Sequence, residues 1–83
     1  METIFENGTL ITKYLACGQI EEFDMISDLI EDTIRAWSYL IGTGVCWSLQ
    51  GSYGRTASSL IEKDVIAENG VVNWELIHIS QYE

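Results

Sequence analysis

Glu21-Glu22-Phe23-Asp24-Met25-Ile26-Ser27-Asp28-Leu29-Ile30-Glu31-Asp32-Thr33-Ile34-Arg35-Ala36-Trp37-Ser38-Tyr39-Leu40-Ile41 is the stretch on which the fold turns. Phe23, Ile26, Ile30, Ile34, Trp37 and Ile41 recur every three to four residues. Leu29, Ala36 and Leu40 widen that stripe, while Asp24, Asp28, Glu31, Asp32 and Arg35 fall towards the opposite side. The spacing predicts one long amphipathic helix over 21–41. Its early acids suit the positive end of a helix dipole, and Glu31 is placed to pair with Arg35.

Working outward, glycines punctuate a chain that has no proline. Gly42-Thr43-Gly44 should break the long helix. Thr9 to Cys17 places Leu10, Ile11, Tyr14 and Leu15 at helical spacing, with Thr9 as N-cap and Gly18 as stop. Val45 to Gln50 reads as a short apolar helix or turn, Gly51 to Gly54 as a turn, and Arg55 to Ile66 as a further helix. Asn7-Gly8 and Asn69-Gly70 are turn signals. After Asn69-Gly70, the run Val71, Val72, Trp74, Leu76, Ile77 and Ile79, rich in β-formers, predicts a strand or a short hairpin arm. Residues 3–5 or a second copy of the chain would pair with it. No internal repeat or low-complexity linker is evident. The expected architecture is mainly α with an α+β element. It is a single domain over 1–83, a bundle of three to four helices with a helix-turn-helix-like half and a C-terminal strand.

Composition narrows the function. Four Lys and Arg stand against 13 Asp and Glu, a formal net charge of −9. Direct nucleic-acid binding needs cations to displace counterions and is not expected. Docking on anionic lipid is disfavoured, and no apolar run is long enough to span a bilayer. Met1-Glu2-Thr3-Ile4-Phe5-Glu6 lacks the features of a signal peptide, so a cytoplasmic location is expected. Cys17 and Cys46 are then read as thiols, and one His with two distant Cys makes no zinc site. Neither a metal nor a cofactor is expected. A chain of 83 residues is marginal alone, and Trp37, Trp47 and Trp74 are many for its size. Those features favour a homodimer or a hetero-complex over a free monomer.

Two segments are candidate sites. Glu21, Glu22, Asp24, Asp28, Glu31 and Asp32 put six carboxylates in twelve residues. Such a face, anchored by an aromatic such as Trp37, Trp47 or Trp74, could take the place of phosphates on a basic cleft. The plainer reading is a solvated helix face; a divalent-ion site lacks the required loop. The second segment, Gln50-Gly51-Ser52-Tyr53-Gly54-Arg55-Thr56, precedes a predicted helix. Gly51, Tyr53, Gly54, Arg55 and Thr56 would form an anion or nucleotide pocket, with Arg55 on a phosphate and Tyr53 on a base. The plainer reading is a tight turn with a Ser or Thr cap. Arg55 and Lys63 on a helix that also carries Glu62 and Asp64 make DNA reading by the helix-turn-helix-like half improbable. No catalytic residue is expected. His78 is the sole histidine and is better read as structural, and no Ser or Cys has an activated-nucleophile signature.

The stretch Thr43 to Glu62, with Leu49-Gln50-Gly51-Ser52-Tyr53-Gly54-Arg55-Thr56-Ala57 at its centre, resembles a pattern in small bacteriophage proteins. They share a tG-x-x-W-x-LQG-x-YGR-x-A-x-x-LIE core behind an acidic helix. Lys63-Asp64 stands here where that pattern has a glycine before Val65-Ile66, which bears on the helix end. The resemblance implies a phage or prophage origin and a role in the host cytoplasm during infection. It brings no established activity, but small acidic phage proteins include anti-CRISPR proteins and inhibitors of uracil-DNA glycosylase. The expectation is therefore a non-enzymatic inhibitor that occludes a basic host or defence protein stoichiometrically, acting as an acidic nucleic-acid mimic. The alternative is a small oligomeric protein that sequesters a nucleotide signal through Gly51–Thr56. A structural phage component or transcription-regulator relative that uses its helix-turn-helix-like half for protein contact is a third reading.

Overall fold

The computed structural model describes residues 1–23 and 25–81, with the backbone alone for 78–81. Among the described residues, four helices form a bundle: α1 over Lys13–Glu21, α2 over Ile30–Thr43, α3 over Gly51–Glu62 and α4 over Trp74–Gln81. One 3₁₀ turn, Val45–Ser48, joins α2 to α3. Helix α1 packs along α2, and the 3₁₀ turn packs against both α2 and α3. Between them lies one cluster that includes Phe5, Trp37, Leu40, Ile41, Cys46 and Ile66. Each large side chain fully buried there is worth roughly 1.5–3 kcal/mol.

The element boundaries depart from the expected ones, each for a local reason. Thr12, not Thr9, caps α1, accepting the Leu15 N–H at 3.2 Å. Thr9 is engaged earlier, its carbonyl accepting the Phe5 N–H at 2.9 Å. Gly18 does not stop the helix; it lies buried within it. Helix α2 starts at Ile30 instead of Glu21 because the preceding segment is held by a side chain. Gln19, fully buried, accepts the Ile26 N–H at 2.8 Å and donates to the Ser27 carbonyl at 2.9 Å. A helix there would need those backbone groups for itself. Gly44 ends α2 as expected, in the left-handed region with φ of 79°.

The turn expected at 51–54 is instead the first turn of α3. With only a 3₁₀ turn ahead of it, the first helix expected in the helix-turn-helix-like half does not form. Helix α3 ends at Glu62, and Asp64 follows with φ of 60°. Asp is among the few residues that tolerate the left-handed region where glycine is the default. The C-terminal strand is replaced by α4. Asn73 accepts the Leu76 N–H at 3.2 Å and so starts a helix. Trp74 and Ile77, three residues apart, face the core, whereas Leu76 is exposed.

β pairing among the described residues is confined to two antiparallel bridges, Ile4 with Leu10 and Ile66 with Val72. They expose a repeat that the sequence reading missed. Ile4-Phe5-Glu6-Asn7-Gly8-Thr9-Leu10 and Ile66-Ala67-Glu68-Asn69-Gly70-Val71-Val72 share the order Ile-x-Glu-Asn-Gly. The backbone bonds correspond one for one. Phe5 N–H to Thr9 O and Ile11 N–H to Thr3 O match Ala67 N–H to Val71 O and Asn73 N–H to Val65 O. Each turn is closed by its asparagine, Asn7 accepting from Thr9 and Asn69 from Val71. A capped helix then follows each. The copies bury opposite faces. The first buries Phe5 and Ile11, the second Ile66 and Val72.

Helix α2 ties both copies down. Ser38, fully buried, accepts the Glu2 N–H at 2.8 Å and donates to the Gly70 carbonyl. The two turn glycines therefore carry different loads. Gly8 (φ 88°) has nothing within 4 Å of where a Cβ would stand, whereas at Gly70 (φ 89°) a Cβ would stand 2.7 Å from the Ser38 carbonyl oxygen. Gly8→Ala should cost about 1 kcal/mol of backbone strain, and Gly70→Ala about 3 kcal/mol or more. Thermal melts of the two variants check this; equal losses would contradict the packing of the second turn on α2.

Candidate functional site

The acidic stretch divides into an inside and an outside. Asp32 is fully buried, which removes it from the expected accessible face. Its Oδ1 accepts the Glu6 N–H at 2.9 Å and an Arg35 N–H at 2.8 Å, and its Oδ2 accepts the Ser27 hydroxyl at 2.5 Å. Burial would raise its pKa, but hydrogen bonds from Ser27, the Glu6 amide and Arg35, with the Arg35 charge, hold it below the usual carboxylate range. Arg35 pairs with Asp32 instead of Glu31. It also approaches Glu2 at 3.8 Å and Glu6 at 3.5 Å and lies 5.2 Å from the ring centre of Trp74.

The rest of the stretch faces solvent to differing degrees. Glu21, Glu22 and Asp28 are exposed, Glu31 is half-buried, and Asp24 lies outside the described residues. Among them stand exposed apolar side chains: Phe23, Met25, Leu29 and Ile30. Phe23 meets Tyr14 edge-on with ring centres 6.1 Å apart. The accessible feature is thus an irregular acidic loop studded with apolar groups, not a helix face.

The proposed aromatic anchor, Trp37, is buried and packs on Tyr53 with ring centres 5.6 Å apart. Of the three tryptophans, Trp47 is the exposed one, and Trp74 is half-buried.

The two candidate segments meet at one place. A shallow pocket of about 130 Å³ is lined by Ile20, Glu21, Trp37, Ser52, Tyr53 and Thr56. Tyr53 is buried, so it cannot stack on a base, and its hydroxyl donates to Glu21. Burial first, then Glu21 and Cys17 beside it, push the Tyr53 hydroxyl far above its ordinary pKa. It stays protonated and donating. Of the residues expected to hold an anion, Thr56 lines this pocket while Gly51, Gly54 and Arg55 do not. The Arg55 guanidinium lies back over Gly51, and Gly54 packs near Trp47. A pocket walled by a carboxylate, without the arginine, repels phosphate instead of holding it.

Among the described residues, no three His, Cys, Asp or Glu side chains lie close enough to hold a metal ion. Cys17 and Cys46 are free, and burial pushes the Cys46 thiol up. The His78 side chain lies outside the described residues. No described helix is long and apolar enough to cross a membrane.

The fold and surface define a small helical protein with an acidic, apolar-studded loop. The chain belongs to the family described as Domain of unknown function (DUF7417), whose model matches residues 19–80. No curated protein and no solved structure matches it.

Asp32 yields a sharp expectation. Its native pKa is lowered, so its stabilisation is full above the ordinary carboxylate value of about 3.9 and is lost as pH falls through the native value. Asp32→Ala should cost about 3 kcal/mol at pH 7, leaving Arg35 and the Glu6 amide short of a partner. Denaturant titrations of wild type and Asp32→Asn should differ most near pH 7 and converge as pH falls below about 4. A gap unchanged with pH would contradict an ionised, buried Asp32.

Proposed function

We propose that this protein is a non-enzymatic, phage-encoded inhibitor that binds a host or antiviral-defence protein stoichiometrically and covers its basic surface. It works in the host cytoplasm and needs no cofactor. The observation that carries the reading is the loop between α1 and α2. Glu22 and Asp28 are exposed there together with Phe23, Met25 and Leu29. Charge steers such a surface to a basic cleft, and the apolar groups slow its release. Arg35, the cation nearest in sequence, is occupied by Glu2, Glu6 and Asp32 and does not neutralise the loop. The nucleic-acid mimicry expected of a helix face passes to this loop, with Phe23 in the anchoring role expected of Trp37, Trp47 or Trp74.

The test is capture from a nuclease-treated host lysate by tagged protein. Wild type should retain one basic, nucleic-acid-handling protein at a fixed ratio. Glu22→Lys or Asp28→Lys should reduce that capture by about tenfold. Glu75→Lys makes the same charge change on the exposed part of α4 and should leave capture intact. Equal loss in all three variants, or none, would contradict docking through the loop.

A further inference from the structure

We infer that a groove beside Trp47 is a binding site for an arginine side chain presented by a protein partner. The groove is open to solvent, is lined by Trp47, Ser58, Ile61, Glu62 and Glu68 and has a volume of about 460 Å³. It shares no lining residue with the acidic loop or with the Tyr53 pocket. Three parts of the chain build it. Trp47 comes from the 3₁₀ turn, Ser58, Ile61 and Glu62 from α3, and Glu68 from the second Asn-Gly hairpin.

The indole of Trp47 is the largest side chain left half open to water, at 52% exposure, while the equally large Trp37 is buried at 8%. A flat aromatic surface of this kind, bordered by carboxylates, matches a planar cation. Guanidinium stacks on indole and presents donors to carboxylates in the same plane, which an ammonium does not do. Glu62 and Glu68 supply the charge. Among the described residues, every ion pair belongs to Arg35, so neither carboxylate is neutralised. Lys63, next to Glu62 in the chain, is exposed and pairs with neither. The site also adjoins the C-terminal turn of α3, which holds no basic residue, and the negative end of that helix favours a cation.

Charge also selects the occupant. A nucleotide could stack on Trp47, but its phosphates would meet Glu62 and Glu68. A second copy of the chain brings a further −9 and has only four basic residues, one of which is Arg35, already paired. A basic segment of a different protein is complementary in both respects. The inference does not depend on the loop between α1 and α2.

The test uses the purified full chain and two acetylated, amidated glycine-spaced peptides, one with three arginines and one with three citrullines in their place. Citrulline keeps the shape and removes the charge. In amide and indole NMR spectra, the arginine peptide should shift the Trp47 indole N–H and the amides of Ser58, Glu62 and Glu68 saturably. The citrulline peptide should bind about tenfold more weakly or worse. Glu68→Gln, a surface change in a turn, should weaken arginine-peptide binding several-fold with an unchanged spectrum elsewhere. Equal binding of the two peptides would overturn the inference. So would shifts confined to residues 22–28 with Trp47 unmoved, or dimerisation that shifts the Trp47 signal without peptide.

Discussion

The Asp32 carboxylate is the point through which the irregular parts of this chain are held to its helices. It sits in α2 with no exposure and takes hydrogen bonds from the N-terminal hairpin through Glu6 and from the α1–α2 loop through Ser27. Arg35, one turn further along α2, closes the arrangement and carries Glu2 and Glu6 with it. Two other buried polar residues do related work. Gln19 holds the loop from the α1 side, and Ser38 joins Glu2 to Gly70, so linking the two hairpins. No buried side-chain polar atom among the described residues lacks a partner. A small bundle with so much non-helical chain needs such links, because an unpaired buried backbone group costs as much as a lost hydrogen bond.

That arrangement also decides what the surface offers. Burying Asp32 and engaging Arg35 takes one acid and one base out of play. Holding residues 26–27 on Gln19 forces the acidic stretch out of helix, so Phe23 and Met25 come to the surface beside Glu22 and Asp28. The same polar bonds that stabilise the fold thereby present the loop that the proposed function uses.

Much of this was legible in the sequence. The α2 stripe from Ile34 to Ile41, its end at Gly44 and the two Asn-Gly turns follow from spacing and from glycine's backbone freedom. The start of α2 was not legible. The pattern from Phe23 to Ile30 fits a helix, and a single buried glutamine from another element overrides it. Asp32 read as one of six acids; only its long-range partners mark it as structural. The C-terminal β-formers misled because Val71 and Val72 belong to a hairpin arm, while Asn73 restarts the chain as helix. The Ile-x-Glu-Asn-Gly repeat was visible in the letters, but two seven-residue stretches identical at four positions are easily passed over. Trp47 was recognised as one of three tryptophans, yet its groove unites residues 47, 58, 62 and 68, a grouping that only the tertiary fold creates.

The most direct measurement is native-state amide hydrogen exchange at the non-helical sites that these polar side chains hold. The amides of Glu2, Glu6 and Ile26 donate to Ser38, Asp32 and Gln19. They should exchange as slowly as amides in the middle of α2, through global unfolding. Exchange at the rate of an open loop, with the α2 amides still protected, would contradict the claim that buried polar side chains of α1 and α2 hold the irregular chain in place.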